Sequence, residues 1–341
     1  NGFQFEVATF RKDRGYVDGR RPTGIDPASP EEDAQRRDFT INGMFYDPLK
    51  QKLYDYVGGE KDIQEGVIRA IGSPHERFAE DRLRMMRAVR YATRLDFFIE
   101  PATLNAILAH SNELLSAVAM ERIWQEFKKM SQFAHFDSGL VMLHNLNLLP
   151  NIFPALKEIS VDEIEKRVQC IPRFPKLAPT FAELLELFPG ASLEQVLELC
   201  DYLKLSNKEK EFAAFYHRAK NLLNMPDHWL KNLEKVEWAH FYANPHAELC
   251  IKILSSHYSI GQQESFLNQH AKRTRSLENA IQRIQTKNPI VKAEHLMREG
   301  ILPGEKMGKL LKEAERISIN KDLEDPSAII KLLLAKDGPP H

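Results

Sequence analysis

The feature that most limits how this chain can fold is a change in the period of its apolar residues near residue 72. Before that point apolar and polar residues tend to alternate, as on a half-buried strand; after it they recur at three- and four-residue spacing, as on one face of a helix. The chain must therefore join a small strand-containing part to a long helical array, and its 341 residues suffice for more than one core. Hydrophobic residues at 43% and charged residues at 28% match the globular average, which excludes a disordered or fibrous chain. No apolar run reaches the roughly 18 residues of a membrane-spanning helix, so no membrane partner is expected.

Within the first part, Phe3, Phe5 and Val7 alternate with Gln4 and Glu6, which predicts a strand over Phe3 to Phe10 with Glu6 facing away from Phe5. These residues read as the middle of a strand, so the sequence is expected to begin inside a longer chain. Arg11 to Ala28 holds Gly15, Gly19, Pro22, Gly24 and Pro27 and reads as a loop. Ser29, Pro30 and Glu32 form a helix start, predicting a short helix from Glu31 to about Asp38. Strand-like runs follow at Phe39–Tyr46, Lys52–Val57 and Val67–Ile71. Ser73, Pro74 and Glu76 repeat the capping signal and open one long amphipathic helix to about Leu95. Pro101, Ser116, Ser160, Ser192, Ser206, Pro245 and Ser276 each precede a further helical pattern, without a fixed repeat, and Asp337–His341 reads as a frayed tail.

Global charge does not announce a nucleic-acid binder: 47 basic residues against 48 acidic ones leave a formal charge of -1. Any basic surface must be local, and Lys272, Arg273, Arg275, Arg283, Lys287 and Lys292 supply one such run, either a phosphate-contacting surface or a solvated helix face. Phe212, Phe215, Tyr216, Trp229 and Trp238 sit at helical spacing and are expected in the core rather than as base-stacking platforms. Cys170, Cys200 and Cys250 are odd in number and far apart, as free thiols in a reducing cytoplasm are. His240 and His246 stand six residues apart, the wrong helical phase for a shared metal, and are expected to pack ordinarily.

The densest polar constellation is Glu80, Asp81, Arg84, Arg87 and Arg90, read as lying on one helix beside an apolar stripe of Leu83, Met86, Val89 and Ala92. Arg84, Arg87, Arg90 and Arg94 have no acidic neighbour between Asp81 and Asp96 and need anions from elsewhere. Adenine and cytosine both present an exocyclic amine beside a ring-nitrogen acceptor, whereas uracil and guanine present the reverse order. An Asp81/Arg84 pair could thus accept from the amine and donate to the ring nitrogen, or form a plain ion pair. A second constellation, Arg36, Arg37, Asp38 and Asn42 in RRDFTING, could hold a triphosphate and a ribose hydroxyl. Glu6 alone is an ordinary strand carboxylate.

In succession, FEVATFR, YVDGRRP, EEDAQRRDFTINGM, YDYVGG, EGVIRAIGSPHERFAEDRLRMMRAVRYA and MERIWQEFKKM resemble the bacterial class II tRNA nucleotidyltransferase and poly(A) polymerase family. The resemblance is dense from Phe3 to about Met130, thins to a general helical likeness, and returns faintly at GILPGEKMGKLL, Gly300 to Leu311. It implies a mostly α chain with part of a mixed α/β nucleotidyltransferase head at its N-terminus and an elongated helical neck, body and tail. The implied bounds are 1–48 for the head, 49–130 for the neck, 131–290 for the body and 291–341 for an RNA-binding tail.

The resemblance also implies roles. Arg37, with Asp38 and Asn42 beside it, would contact sugar and phosphates; Asp81 and Arg84 would read the base edge, with Arg87 and Arg90 nearby. Glu80, Glu121, Arg122 and Glu126 would brace that pocket, and Lys272, Arg273 and Arg275 would meet RNA. The reaction is attack of an RNA 3′-hydroxyl on the α-phosphorus of ATP or CTP, with two Mg²⁺ ions held by three carboxylates. Glu6 matches the third of these, as catalytic metal ligand, and the other two are expected in a segment preceding Asn1, so that the chain as numbered would be inactive. Arg82 stands where the family often has Pro, and Gly43 where Ala is common. The compact segment from Arg11 to Glu31 favours CCA or A addition to tRNA over a poly(A) polymerase, and its loop is a candidate element for switching between CTP and ATP. A non-catalytic helical RNA-binding protein is the alternative of another class.

Overall fold

The computed structural model describes residues 7–16, 22–224 and 232–337. The chain forms two compact units, one made of Asn1–Arg173 with Pro179–Lys210, the other of Phe174–Ala178 with Glu211–His341. Helices dominate both, and the described strands all lie in the first unit, before residue 100.

The first unit opens differently from the sequence expectation. Residues 7–10 carry no regular structure and Val7 is 95% exposed; Phe3 to Glu6 lie outside the described residues. The expected loop contains an antiparallel ribbon instead, β1 (Arg11–Tyr16) against β2 (Pro22–Pro27), with Arg11 opposite Pro27 and Tyr16 opposite Pro22. Both prolines sit at the ends of an edge strand, where a missing N–H costs no ladder bond, so the Gly/Pro content that suggested a loop is compatible with a ribbon.

Helix α1 (Pro30–Gln35) starts where expected, with reciprocal bonds between Ser29 and Glu32, and ends three residues early. Asp38 explains the stop: its Oδ1 accepts from the Phe39 N–H at 2.9 Å and from Asn42 Nδ2 at 3.0 Å, turning the chain into a 3₁₀ turn at Thr40–Asn42. The predicted strand from Phe39 therefore shrinks to one bridge, Phe39 to Ala70, and to β3 (Met44–Asp47), paired with β4 (Lys52–Asp55).

Asp55 then organises YDYVGG. Its carboxylate accepts from the backbone N–H groups of Val57, Gly58, Gly59 and Glu60, capping α2 (Gly59–Glu65). Burial works against its charge, but these four bonds outweigh it and hold the carboxyl below its usual range. Gly58 has φ +80°, and a Cβ on Gly59 would stand 2.3 Å from the Thr40 carbonyl oxygen, so the second glycine permits a close backbone approach. Thr40 is fixed from the other side by buried Asp62, which also holds Arg69.

The predicted long helix over 73–95 is two helices, α3 (Pro74–Glu80) and α4 (Arg84–Leu95), separated at Asp81. Asp81 has extended backbone (φ −149°, ψ 105°); its Oδ1 accepts from the Leu83 N–H and its carbonyl from the Arg84 N–H. An aspartate whose side chain bonds the N–H two residues on offers the backbone a turn in place of the helical ladder, so α3 ends there. The apolar stripe survives the break: Leu83, Met86, Val89 and Ala92 are buried, with Met85 and Ala88 beside them. Parallel β5 (Val67–Ile68) and β6 (Phe98–Ile99) flank α4, followed by α5 (Pro101–His110), α6 (Leu114–Ala117) and α7 (Met120–Met130). Ser160, Ser192 and Ser206 cap the helices expected of them, whereas Ser116 lies inside α6 and Ser276 ends a helix instead of opening one.

In the second unit Phe212, Phe215, Tyr216 and Trp238 are buried, as expected; Trp229 lies outside the described residues. His240 bonds Glu315, and His246 packs edge-on against Phe212. A separate C-terminal core gathers Met307, Leu310, Ala314, Ile317, Ile329 and Leu333, with Ile301 and Leu311 packed against it, which accounts for the apolar residues of GILPGEKMGKLL except the exposed Leu302. All three cysteines are free and buried.

Candidate nucleotide-binding site

The candidate residues of the first unit form a connected set of guanidinium–carboxylate contacts on α1, the 3₁₀ turn, α3, α4 and α7. It begins at a residue absent from the sequence reading, Asp33. Its buried carboxylate takes Arg36 Nη2 at 2.6 Å on one oxygen and Arg37 Nη2 at 3.0 Å on the other, together with the Arg11 N–H at 3.2 Å. Burial raises its pKa, and the Arg36 guanidinium, the Arg11 N–H and the Arg37 guanidinium together lower it by more, so the carboxyl is held below its usual range. The signal was present in the sequence, because Asp33 precedes the two arginines by three and four residues on a helix.

Arg37 also donates to the Asn42 carbonyl at 3.0 Å and lies over the Phe45 ring at 4.8 Å, so it is oriented before any ligand arrives. Asp38 points the other way. Its Oδ2 accepts from Arg87 at 2.7 Å while Oδ1 serves Phe39 and Asn42, which places Arg37, Asp38, Asn42 and Arg87 in one cluster but commits Asp38 internally. Burial opposes the charge of Arg87, and the Asp38 carboxylate more than offsets it, leaving the guanidinium pKa raised.

Around the Asp81 break the sequence expectation needs correction. Asp81 and Arg84 do not share one helix, because Asp81 is the extended residue that closes α3, with Arg82 and Leu83 between it and α4, and each has a different partner. Asp81 Oδ2 accepts from Arg122 Nη2 on α7 at 2.9 Å; Arg84 Nη1 donates to Glu80 Oε2 at 2.6 Å. Arg84 also reaches the Arg77 carbonyl at 3.0 Å and, through Nη2, the Arg36 carbonyl at 3.3 Å, while Arg77 donates to the Gln35 carbonyl. Two arginines thus satisfy the open carbonyls at the end of α1 and tie the RRD segment to the Asp81 turn.

Arg87 and Arg90 take their anions from distant sequence, as anticipated, whereas the anion of Arg84, Glu80, stands only four residues before it and Arg94 meets a ring. Arg90 is buried and bonds Glu126 Oε2 at 2.7 Å, and Arg94 lies over the Phe133 ring at 4.4 Å. Arg122 and Glu126 therefore hold Asp81 and Arg90 respectively, whereas Glu121 is exposed on the first turn of α7. Arg82 bonds the Phe78 carbonyl and Glu113. A Cβ on Gly43 would meet Val57 Cγ2 at 2.6 Å, so this chain has filled with Val57 the space an alanine would need.

Glu6, the expected metal ligand, lies outside the described residues, and Arg20 and Arg21 of the expected switching loop do so too. Among the described residues no three carboxylates converge, so they do not by themselves fit a divalent-ion cage. In the second unit Lys272 and Arg275 are exposed, and Arg273 stacks on the Trp238 ring at 4.0 Å. No described helix is long and apolar enough to cross a membrane.

Comparison with known proteins places this geometry. Residues 1–69 match the family described as Poly A polymerase head domain, and residues 96–160 the one described as probable RNA and SrmB-binding site of polymerase A. The CCA-adding enzyme of Pediococcus pentosaceus is 31% identical over 334 residues, spanning 96% of this chain and 78% of that protein. In fold, the chain is similar to the Bacillus stearothermophilus CCA-adding enzyme in complex with CTP, with TM-score 0.74, 24% identity, and 97% and 78% of the two chains covered. The Thermotoga maritima CCA-adding enzyme complexed with tRNA_CCA aligns with TM-score 0.60 and 23% identity over 91% of this chain and 74% of that one. With nearly its whole length aligned to such a relative at that identity, the chain belongs to the CCA-adding enzyme family of nucleotidyltransferases.

Proposed function

We propose that this protein adds CMP and AMP to the 3′ end of tRNA, using CTP and ATP and releasing pyrophosphate. The observation that carries the reading is the 31% identity to a CCA-adding enzyme across 96% of the chain. Mg²⁺ accompanying the triphosphate is taken as the divalent ion, and the cytoplasm as the compartment; the steps below involve the chain's own residues.

Arg37, held by Asp33 and by the Asn42 carbonyl, is proposed to bind triphosphate oxygens. Asp81 and Arg84 are proposed to read the base, and the donor arithmetic leaves them room. A carboxylate has about four acceptor sites, of which Leu83 and Arg122 occupy one each, leaving Asp81 able to accept from the exocyclic amine of C or A. Arg84 spends three of roughly five N–H groups on Glu80, Arg77 and Arg36 and keeps the rest for a ring nitrogen. Because Asp81 and Arg84 take partners from three different elements, their spacing is set by packing and does not depend on one helical turn. Asp38, Asn42, Arg87, Arg90, Glu80, Arg122 and Glu126 position this pair and the phosphate-binding arginine. Lys272 and Arg275 are proposed phosphate contacts for RNA, with Arg273 anchored on Trp238.

The test is incorporation by the complete protein, carrying the two carboxylates expected ahead of Glu6, into tRNA lacking its terminal nucleotides, with CTP and ATP supplied separately and together. Growth that stops at the CCA end is expected. Unlimited adenylate growth on generic RNA would assign a poly(A) polymerase, and RNA binding with neither incorporation nor nucleotide binding would assign a non-catalytic RNA-binding protein.

A further inference from the structure

A pair of histidines in the first unit takes no part in the proposed site. His75, in the first turn of α3, and His110, at the end of α5, face one another with His75 Nδ1 and His110 Nε2 3.2 Å apart. Their ring centroids are 5.3 Å apart and the planes meet at 68°. On its other nitrogen, His110 Nδ1 is 3.1 Å from Glu113 Oε1, and the second oxygen of Glu113 pairs with Arg82. The bond from His110, with the charge of Arg82 adding to it against slight burial, holds the Glu113 carboxyl below its usual range.

This arrangement settles the tautomer of neutral His110. The carboxylate keeps the proton on Nδ1, so Nε2 presents a lone pair toward His75. A histidine whose rear N–H is bonded to a carboxylate is the arrangement that orients metal-ligating imidazoles. Distance agrees with chemistry: two nitrogens at about 2.0–2.1 Å from a tetrahedral Zn²⁺ stand about 3.3 Å apart.

The geometry points to a transition-metal site in which His75 Nδ1 and His110 Nε2 ligate one borderline divalent ion such as Zn²⁺ or Cu²⁺, with Glu113 orienting His110. His75 is exposed and the His110 side chain is 20% exposed, so water completes the coordination sphere and the site exchanges ion with solvent. On binding, His75 moves its ring proton from Nδ1 to Nε2 and the ion takes the place of the hydrogen bond between the rings. Imidazole ligands select against Mg²⁺ and Ca²⁺, so this site is distinct in chemistry from any ion carried by a nucleotide. The site also joins α3 to α5, and through Glu113 and Arg82 it borders the residue that follows Asp81.

Calorimetric titration of the full chain with Zn²⁺ tests the inference without using catalytic activity. One equivalent should bind saturably, Mg²⁺ at the same concentration should not compete, and His75→Ala and His110→Ala should each abolish that equivalent. Glu113→Gln should weaken it roughly ten- to 100-fold. As a second readout, the Cu²⁺ paramagnetic resonance spectrum at one equivalent should show a two-nitrogen signal in the unaltered chain that is lost in His75→Ala, whose exposed position makes misfolding no explanation. Absence of saturable uptake in the unaltered chain, or uptake that persists in both histidine variants, overturns the site.

Discussion

Replacing Glu126 by Gln should destabilise the first unit by about 3 kcal/mol, at the lower end of the roughly 3–5 kcal/mol expected when one member of a buried ion pair is removed. The geometry sets that figure. Arg90 Nε and Glu126 Oε2 are 2.7 Å apart, with side chains only 8% and 2% exposed, and the other Glu126 oxygen takes Lys129 at 3.2 Å. Glutamine keeps the shape and removes the charge, leaving a guanidinium that cannot deprotonate without its counter-ion. The ring of Tyr91, 4.3 Å from the guanidinium carbon, retains part of the stabilisation, about 0.5–2 kcal/mol, which is why the lower end is chosen. For a unit of this size the loss corresponds to a fall of about 6–12 °C in its calorimetric transition. The double variant Arg90→Met, Glu126→Met should lose less than Glu126→Gln alone, since no charge is then stranded. A Glu126→Gln shift of under 2 °C, or a double variant worse than the single one, would refute the argument.

Three further outcomes follow from the structure. Arg84→Ala should reduce preference for CTP and ATP over UTP and GTP by about 1–3 kcal/mol, or roughly five- to 150-fold, in nucleotide-competition assays; unchanged selectivity would remove Arg84 from base reading. Gly59→Ala should cost about 1–3 kcal/mol in a urea titration, because its Cβ would meet backbone of Thr40, while Gly190→Ala, with nothing within 4 Å, should be near neutral. Burial pushes the Glu183 carboxyl up to about 8, from an ordinary 4.5. A folded-state value above the unfolded one gives stability that is complete below about 4.5 and lost as pH rises through 8, by at most about 1.4 kcal/mol per pH unit. Glu183→Gln should therefore match the unaltered chain near pH 5 and exceed it in melting temperature above pH 8, and parallel profiles across that range would contradict the burial argument.

The sequence was most legible where the determinants are local. The caps at Ser29, Ser160, Ser192 and Ser206 and the buried face of α4 depend on residues within a turn or two of one another. It misled at Asp81, where arginines at every third position continue the helical pattern across a residue whose own side chain bonds the N–H two residues on and turns the chain. It misled again at residues 11–27, where glycine and proline masked a ribbon whose pairing joins residues far apart in sequence. Family resemblance marked Arg37, Asp38, Asp81 and Arg84, but could not say which carboxylate each arginine meets. Asp38 with Arg87 and Arg90 with Glu126 are 49 and 36 residues apart, and only the folded chain brings them together. Asp33, the clamp on both arginines of RRD, is legible from its three- and four-residue spacing to them on one helix.

The bond from Arg84 to the Arg36 carbonyl has a mechanical consequence. On the roles proposed for Arg84 and Arg37, a nucleobase that drew the Arg84 guanidinium toward itself would pull on the peptide preceding Arg37, so recognition at one end of a nucleotide would be transmitted to the grip on its other end. Discrimination among bases would then be registered as a change in how firmly phosphate is held, and a nucleotide with the wrong edge would be loosened at a place it never contacts through its base.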